Sequence, residues 1–340
     1  MPPPNQTRRD FLGRLVQTAA AGAVVGSLLH AAAAADPTPG RVAYRMLGKT
    51  GLKVSEIGIG GHSWSYARLP DGKGGLRKVN VDEAMGIIRT ALDTGVNFFD
   101  SCTPLEESST PGEALKRLKV RDRVILSMRV SHKMKGREQD RQEIYKWAEV
   151  RLRLWQTDCI DLCLLCNTEN DTPQSGYFDM SWSIEALDRL KAQKKIRYTG
   201  FGCHFPPELF LSAIDKFGDY FDICSLPYNI RHRAAETVLP AARKKNMGVI
   251  TIKPFARGSL LKDRDLEKAD AGIARDMIAF ILSNPQGDIC TCGVHTPAQT
   301  RENLSASWTK LTPQARQRLE LAAATPCPAY AWLEGGWRCA

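Results

Sequence analysis

The strongest constraint on the fold is an alternation between short strand-like runs and longer segments of helical spacing, repeated eight times along the chain. The predicted strands span residues 54–60, 95–100, 123–130, 159–165, 196–202, 221–226, 247–252 and 288–292. Amphipathic helices are predicted at residues 81–94, 142–156, 184–193, 207–217, 234–246 and 274–284. This pattern predicts a single parallel (β/α)8 barrel of the TIM type, which is an α/β fold.

The alternative to a barrel is an open, doubly wound sheet. Such a sheet would carry the dinucleotide-binding spacing G-x-G-x-x-G after its first strand. The glycines at Gly58, Gly60 and Gly61 do not have that spacing. We therefore favour the barrel, in which the chemistry lies at the carboxyl ends of the strands.

Residues 1–35 have the pattern of an export signal. Arg8 and Arg9 precede an apolar stretch at residues 15–29, and Ala35 ends a run of small residues suited to a peptidase. This segment resembles a bacterial twin-arginine signal, which implies passage through the twin-arginine export machinery in the folded state and a periplasmic location. The alternative is a membrane anchor, but the stretch is rich in Ala and Gly and is short for a span. We expect a linker at residues 36–41 and no membrane span in the mature chain.

Composition excludes several classes of protein. The chain has 43% hydrophobic and 25% charged residues, as an ordinary soluble globule does. Its net charge is +10, but the basic residues are mostly spread singly, so we expect no nucleic-acid partner. Ten cysteines are too few for a disulfide scaffold of 340 residues, so their positions matter more than their number.

Polar and reactive side chains are predicted at the mouth of the barrel, where the strands end. They are His62, Asp100, Cys102, Arg129, Cys166, Cys203, His204, Tyr228, Asn229, Lys253 and Gly293. Three thiols and two imidazoles among them could bind a soft metal, supply a nucleophile, or simply pack as small apolar groups. Cys290 and Cys292 are expected to point in opposite directions, so that no more than one of them reaches a shared site.

Several motifs in this order resemble the aldo/keto reductase family. They lie at residues 44–55, 95–100, 159–162, 227–229, 248–258 and 302–304, and the resemblance covers residues 42–310. Residues 311–340 are expected to form a C-terminal helix and tail. The resemblance implies a nicotinamide cofactor, NADP or NAD, and a small carbonyl compound or a related molecule as substrate. The tail holds only Cys327 and Cys339, so we expect no iron–sulfur cluster, and whether these two pair is left open.

The resemblance also implies a catalytic group of Asp, Tyr, Lys and His, of which this chain matches one member. Asp100 stands at the Asp position, whereas Leu105, Arg129 and Cys166 stand where the family has Tyr, Lys and His. Arginine stays protonated, so Arg129 can hold charge but cannot adjust a phenol as a lysine does. We take Asp100, Arg129 and Cys166 as the catalytic candidates, although the pattern favours a structural ion pair over a catalytic couple for Asp100 with Arg129. His62 or Tyr66 in the first loop could supply a replacement proton donor.

The resemblance places the cofactor along two other segments. Ser225 and the pair Gly202-Cys203 replace residues that normally bind the carboxamide of the nicotinamide. The positions that would hold the rest of the cofactor are kept, namely Lys253, Pro254, Phe255, Gly258, Gly293, Gln299 and Asn303. The chain is therefore expected to be an oxidoreductase with altered acid–base residues. The alternative is a degenerate barrel that serves as a periplasmic binding or assembly protein.

Overall fold

A parallel barrel forms the centre of the protein. The computed structural model describes residues 38–64, 68–71, 73, 76–101, 108–131, 138–166, 180–202, 207–262 and 272–324. Its strands are β1 (Tyr44–Met46), β2 (Lys53–Ser55), β3 (Ile57–Ile59), β4 (Arg68–Pro70), β5 (Leu76–Lys78), β6 (Phe98–Asp100), β7 (Ile125–Ser131), β8 (Ile160–Cys166), β9 (Ile196–Gly202), β10 (Ile223–Pro227), β11 (Gly248–Ile252) and β12 (Ile289–Cys292).

Eight of these strands close the barrel in the order β3, β6, β7, β8, β9, β10, β11 and β12, with β12 beside β3. All eight pairs of neighbouring strands in the barrel are parallel. The predicted (β/α)8 barrel is thereby confirmed. The predicted strand at residues 54–60 is in fact two strands, because Ser55 pairs with Tyr44 in an antiparallel hairpin whereas Ile57 begins a barrel strand beside Cys290.

Helices alternate with the barrel strands. They are α1 (Gly61–Trp64), α2 (Val81–Asp93), α3 (Thr110–Leu118), α4 (Glu138–Trp155), α5 (Ser181–Ala192), α6 (Pro207–Phe217), α7 (Ala235–Lys244), α8 (Ile273–Leu282), α9 (Pro297–Leu304) and α10 (Pro313–Ala324). A reciprocal capping box between Asn80 and Glu83 starts α2. Helix α3 was not predicted from the sequence. Its Gly112 allows α4 to approach closely, because a Cβ at this position would lie 2.3 Å from the carbonyl oxygen of Leu154.

The core has two parts, divided by the barrel wall. On β8, Leu162 and Leu164 belong to the cluster inside the barrel, whereas Cys163 and Leu165 belong to the cluster between the sheet and the helices. The β1–β2 hairpin closes the end of the barrel where the strands begin, because Leu47 from its loop packs into the inner cluster. The opposite end, where the strands finish, is left for a site.

Buried carboxylates brace the closed end of the barrel. Asp161 accepts the Leu126 amide at 3.0 Å and pairs with Arg121. Asp288 accepts the Val249 amide at 2.8 Å and pairs with Arg243. Each carboxylate joins its own strand to a neighbouring one, so this end of the barrel is built for stability. Among the residues described above, no helix is both long and apolar enough to span a membrane.

Candidate active site

A buried ion pair lies at the mouth of the barrel. Asp100 ends β6 and Arg129 lies near the end of β7, so the two residues sit on neighbouring strands. The Arg129 Nη2 donates to Asp100 Oδ2 at 2.8 Å, and the Ser127 hydroxyl donates to Asp100 Oδ1 at 2.7 Å. Each member of the pair is only 3% exposed. Both carboxylate oxygens therefore have a donor, as a buried charge requires.

The guanidinium of Arg129 also crosses the barrel. Its Nη2 lies 3.1 Å from the hydroxyl oxygen of Ser225, on β10. Strands β8 and β9 separate β7 from β10 around the barrel wall. Glycines keep the inner face of β9 bare at this level: a Cβ on Gly200 would lie 2.5 Å from Leu164 Cδ2, and one on Gly202 would lie 1.8 Å from the Ser225 carbonyl oxygen. The arginine thus links opposite walls of the mouth.

Cys166 ends β8 and is fully buried. In the strand register it pairs with Ser131 on one side and Gly202 on the other, and it has the inward parity of Leu162 and Leu164. This places its thiol position on the inner wall, next to the strand that carries Arg129. Of the other thiols and imidazoles predicted at the mouth, Cys102, Cys203 and His204 lie outside the described residues, as do Leu105 and Tyr66. The backbone of His62 belongs to α1, but its side chain is outside what the structure describes. Within the described ranges, no group of three His, Cys, Asp or Glu side chains could hold a metal ion.

Tyr228 does not face the mouth. It follows the inward-facing Pro227 and points outward, where its hydroxyl donates to Glu236 Oε1 at 2.8 Å. Burial raises the pKa of Tyr228 to about 12. Asn229 acts instead as a brace, since its Nδ2 donates to the Lys253 carbonyl oxygen at 3.0 Å. The expectation that Tyr228 belongs to the ring of polar groups at the mouth was wrong.

The orientation of the C-x-C pair also needs correction. Cys290 and Cys292 are two positions apart on β12, so both point to the same face, because strand side chains alternate with a period of two. Both lie in the cluster between the sheet and the helices. Burial raises the pKa of Cys292 to about 12 and that of Cys290 well above its usual value, which makes both thiols poor nucleophiles. They pack as small apolar side chains.

The loop after β11 has an unusual backbone. Lys253 and Ala256 have φ values of +63° and +44°, and Gly258 has φ +87°. Pro254 and Phe255, within this loop, have buried side chains that anchor the loop to the barrel. A left-handed backbone conformation is uncommon for residues that carry a Cβ, as Lys253 and Ala256 do, so the fold holds this loop in a defined shape. The half-buried Lys253 supplies positive charge at the mouth.

The segment after β12 is likewise fixed by hydrogen bonds. Asn303 is buried in α9 and donates from Nδ2 to the Gly293 carbonyl oxygen at 3.3 Å. Gln299 accepts the His295 amide at 2.8 Å, and the Thr296 hydroxyl oxygen caps α9 by accepting the Gln299 amide. Apart from the two chain neighbours of Gly293, no heavy atom of the described residues lies within 4 Å of its Cβ position, so the backbone is open on that side. An open backbone leading into a capped helix start suits the phosphate of a ligand.

These elements meet at one end of the barrel. Strands β11 and β12 are neighbours, so residues 253–258 and 293–303 begin at adjacent strand ends. Strand β3 alone separates β12 from β6, which carries Asp100. The structure therefore gathers all the catalytic and cofactor-binding candidates at the mouth, with the ion pair on one side and the open segments on the other.

Three contact residues of this site escaped the sequence analysis: Ser63, Trp64 and Ser127. Ser127 lies two positions before Arg129 on β7 and so shares its inward face, which strand periodicity could have revealed. Ser63 and Trp64 lie in α1, a helix of four residues. A helix that short leaves no periodic signal.

The chain matches known proteins over most of its length. A model of the aldo/keto reductase family matches residues 56–277, more than half of the chain. L-galactose dehydrogenase of Arabidopsis thaliana is 29% identical over 296 residues, which cover 78% of this chain and 88% of that protein. An uncharacterised oxidoreductase of Bacillus subtilis, YrpG, is 28% identical over 252 residues, 67% of this chain and 71% of that one.

Solved structures share the same barrel. The holo form of aldo-keto reductase AKR11C1 from Bacillus halodurans superposes with a TM-score of 0.64 at 24% identity, covering 85% of this chain and 99% of that one. The apo form gives a TM-score of 0.62 at 22% identity over the same shares of the two chains. The barrel, the order of its strands and the family match agree, and this chain belongs to the aldo/keto reductase family.

Proposed function

We propose that the protein is an NAD(P)-dependent oxidoreductase that acts on a small carbonyl compound or a related molecule, with acid–base residues that differ from those of its family. The observation that carries this proposal is the placement of residues 253–258 and 293–303 at adjacent strand ends, one strand away from Asp100. Family membership supports the same reaction class.

The residues present fit a dinucleotide at the phosphate-binding side of the mouth. Within the part of the chain that the structure describes, a Cβ at Gly293 or at Gly258 would meet no heavy atom within 4 Å other than those of its chain neighbours, which leaves space for a ligand beside both backbones. Asn303 and Thr296 fix the path of the chain beside that space. Lys253 would offer positive charge to a pyrophosphate. NADP and NAD are both consistent with these groups, so titration has to choose between them.

A nicotinamide bound here would supply or accept a hydride. When a carbonyl carbon gains hydride, its oxygen gains negative charge, which has to meet a cation, a dipole or a proton. Arg129 contributes a permanent positive charge that Asp100 and Ser225 hold in place. Cys166 contributes a thiol position on the next strand. We infer that Arg129 stabilises charge in this site and that Cys166 is the candidate proton donor, in place of the family's Tyr, Lys and His.

A second candidate function is a barrel that binds its ligand without turnover. The tight pairing of Asp100 favours it, since both carboxylate oxygens are already occupied by Ser127 and Arg129. In this reading the ion pair only stabilises the mouth. A test has to separate cofactor binding from hydride transfer.

Turnover is tested by mixing the purified protein with NADPH or NADH and a panel of aldehydes, ketones and sugars, and by following absorbance of the reduced cofactor. The panel includes L-galactose with the oxidised cofactors, because the Arabidopsis relative is named for that sugar. A turnover rate that is at least tenfold lower in Cys166→Ala than in wild type supports the proposed enzyme. Saturable cofactor binding without any turnover supports the second candidate.

We also propose that residues 1–35 direct the folded protein to the periplasm through the twin-arginine pathway. Residues 1–37 lie outside the described ranges, so the proposal rests on Arg8, Arg9 and the small residues before Asp36. Replacing both arginines by lysine should leave the protein uncleaved in the cytoplasm of a bacterial host. Unchanged export of that variant would count against the twin-arginine route.

A further inference from the structure

The short helix α1 touches both halves of the site. The Ser63 hydroxyl oxygen accepts the Val294 amide at 2.7 Å, next to the open backbone of Gly293. Trp64 Nε1 donates to the Asp100 carbonyl oxygen at 3.1 Å. Ser63 and Trp64 are both fully buried. Two consecutive residues thus bind one group from each side of the mouth.

The strand before α1 occupies the same intermediate position. Strand β3 pairs with β12 on one side and with β6 on the other. Gly60, which follows β3, donates its amide to the Cys292 carbonyl oxygen at 2.8 Å. Helix α1 therefore begins where the two halves of the mouth join.

We propose that Ser63 and Trp64 are positioning residues that couple residues 293–303 to the Asp100–Arg129 pair. A buried hydrogen bond is costly to leave unmade, so a displacement of Val294 either moves Ser63 with it or loses the bond. The same holds for Trp64 and Asp100. The coupling itself is a property of the folded chain; only its effect on cofactor binding rests on the function proposed above.

Aromatic packing gives the coupling its stiffness. The Trp64 ring meets Phe99 edge-on at a centroid distance of 5.4 Å and packs against Trp155 at 5.5 Å. Phe99 directly precedes Asp100 on β6. The indole is therefore held on several sides, so a shift of its neighbour Ser63 is transmitted to β6 instead of being absorbed by a loose side chain.

Trp155 provides a matched control. It belongs to the same aromatic cluster and is 1% exposed, but its Nε1 has no hydrogen-bond partner among the described residues. Trp155→Phe removes as much ring as Trp64→Phe does, without breaking a hydrogen bond to Asp100. A difference between the two variants then reports on the bond and not on the lost volume.

The first test needs no cofactor: amide hydrogen exchange of the full chain, measured for each variant. Trp64→Phe breaks only the Asp100 end, yet we expect the Val294 amide to exchange about fivefold faster or more, with Trp155→Phe close to wild type. Equal exchange at Val294 in wild type and Trp64→Phe, or equal acceleration in both Trp variants, overturns the proposal.

The reverse experiment covers the case in which Trp64→Phe fails to fold. Ser63→Ala breaks only the Val294 end, and the readout moves to the Ser101 amide, which donates to the Ser127 carbonyl oxygen at 2.8 Å beside the ion pair. Faster exchange at Ser101 supports the coupling. Unchanged exchange at Ser101, with faster exchange at Val294 alone, contradicts it.

The second test measures cofactor affinity in a double-mutant cycle. The dissociation constant for NADPH or NADH, whichever binds more tightly, is determined for wild type, Asp100→Asn, Trp64→Phe and the double variant. If the two positions are coupled, the change in dissociation constant of the double variant should differ by about threefold or more from the product of the changes in the two single variants. Multiplicative effects overturn the coupling, whereas absence of any cofactor binding to wild type refutes the proposed function and leaves the exchange test to decide the coupling.

Discussion

Arg129 and Ser225 face each other across the mouth of the barrel, with Arg129 Nη2 3.1 Å from Ser225 Oγ. The same Nη2 lies 2.8 Å from Asp100 Oδ2, so a single nitrogen joins β6, β7 and β10. On β9, which lies between β7 and β10, Gly200 and Gly202 present no side chain to the inside of the barrel. A cation fixed in this way is well placed to serve both the stability of the mouth and the charge of a bound substrate.

Removing the guanidinium should therefore be costly. Arg129→Met leaves the Asp100 carboxylate buried with one donor, and we expect the free energy of unfolding to fall by about 3–5 kcal/mol in urea denaturation. Replacing Asp100 by Leu in the same chain removes the stranded charge and should recover much of the loss. A cost below about 1 kcal/mol for Arg129→Met would show that the pair contributes little.

Two glycines of the mouth should differ in how much stability an added methyl group costs. Gly202 has φ +150°, and a Cβ there would lie 1.8 Å from the Ser225 carbonyl oxygen. Gly202→Ala should lower the free energy of unfolding by about 3 kcal/mol or more. Gly293→Ala places its Cβ more than 4 Å from every described residue except its chain neighbours, so it should change stability by less than about 1 kcal/mol. Thermal unfolding of both variants checks the contrast, and equal losses would contradict it.

Lys253 should contribute to cofactor affinity more than to stability. Its side chain is half-buried at the mouth, whereas Lys244, at the end of α7, is exposed at the closed end of the barrel. We expect Lys253→Ala to weaken NADPH binding about tenfold, as for a lost charge-assisted contact to phosphate, and Lys244→Ala to leave binding unchanged. Isothermal titration at low and moderate salt measures both. Equal affinities of the two variants for NADPH would show that Lys253 does not contribute to cofactor binding.

His232 should make stability depend on pH. Burial lowers the pKa of His232 to about 4 in the folded protein, below the unfolded value near 6.5. The unfolded chain therefore binds the extra proton first, and the stabilising contribution, complete above about pH 6.5, is lost as the pH falls towards 4. Since His232 is only partly buried, we expect a loss of roughly 2 kcal/mol. As the pH falls from 6.5 to 4, the midpoint of urea unfolding should decrease less in His232→Gln than in wild type. Parallel plots of midpoint against pH for the two proteins would show that His232 does not cause the pH dependence.

The architecture could be predicted from the sequence because each barrel strand lies in a short run that is mostly apolar or β-branched, and longer segments of helical spacing separate most of these runs. The register of the strands and the residues at which they begin could not be predicted. The run at residues 54–60 reads as one strand, although Ser55 belongs to the hairpin and Ile57 to the barrel. Helix α3 was hidden because Pro111 and Gly112 resemble loop residues, whereas Pro suits the first turn of a helix and Gly112 allows a close helix crossing.

The site was predictable as a set of strand ends but not as a set of contacts. Asp100 and Arg129 are neighbours because of the strand order, which the sequence suggests. The bond from Arg129 to Ser225 joins residues of two strands that are not neighbours, so only the three-dimensional packing shows it. Tyr228 faces away from the mouth because it directly follows the inward-facing Pro227 at the end of β10, a detail that a motif does not carry.

The most direct test of the central claim is a fluorescence titration of the full chain with NADPH and with NADH. We expect saturable binding of one or both. Binding should be weakened at least tenfold in Gly293→Val, whose added side chain would enter the open space beside residues 293–303 while thermal stability stays near that of wild type. Absence of saturable binding of either cofactor to the folded wild-type protein would contradict the claim that this barrel holds a nicotinamide dinucleotide.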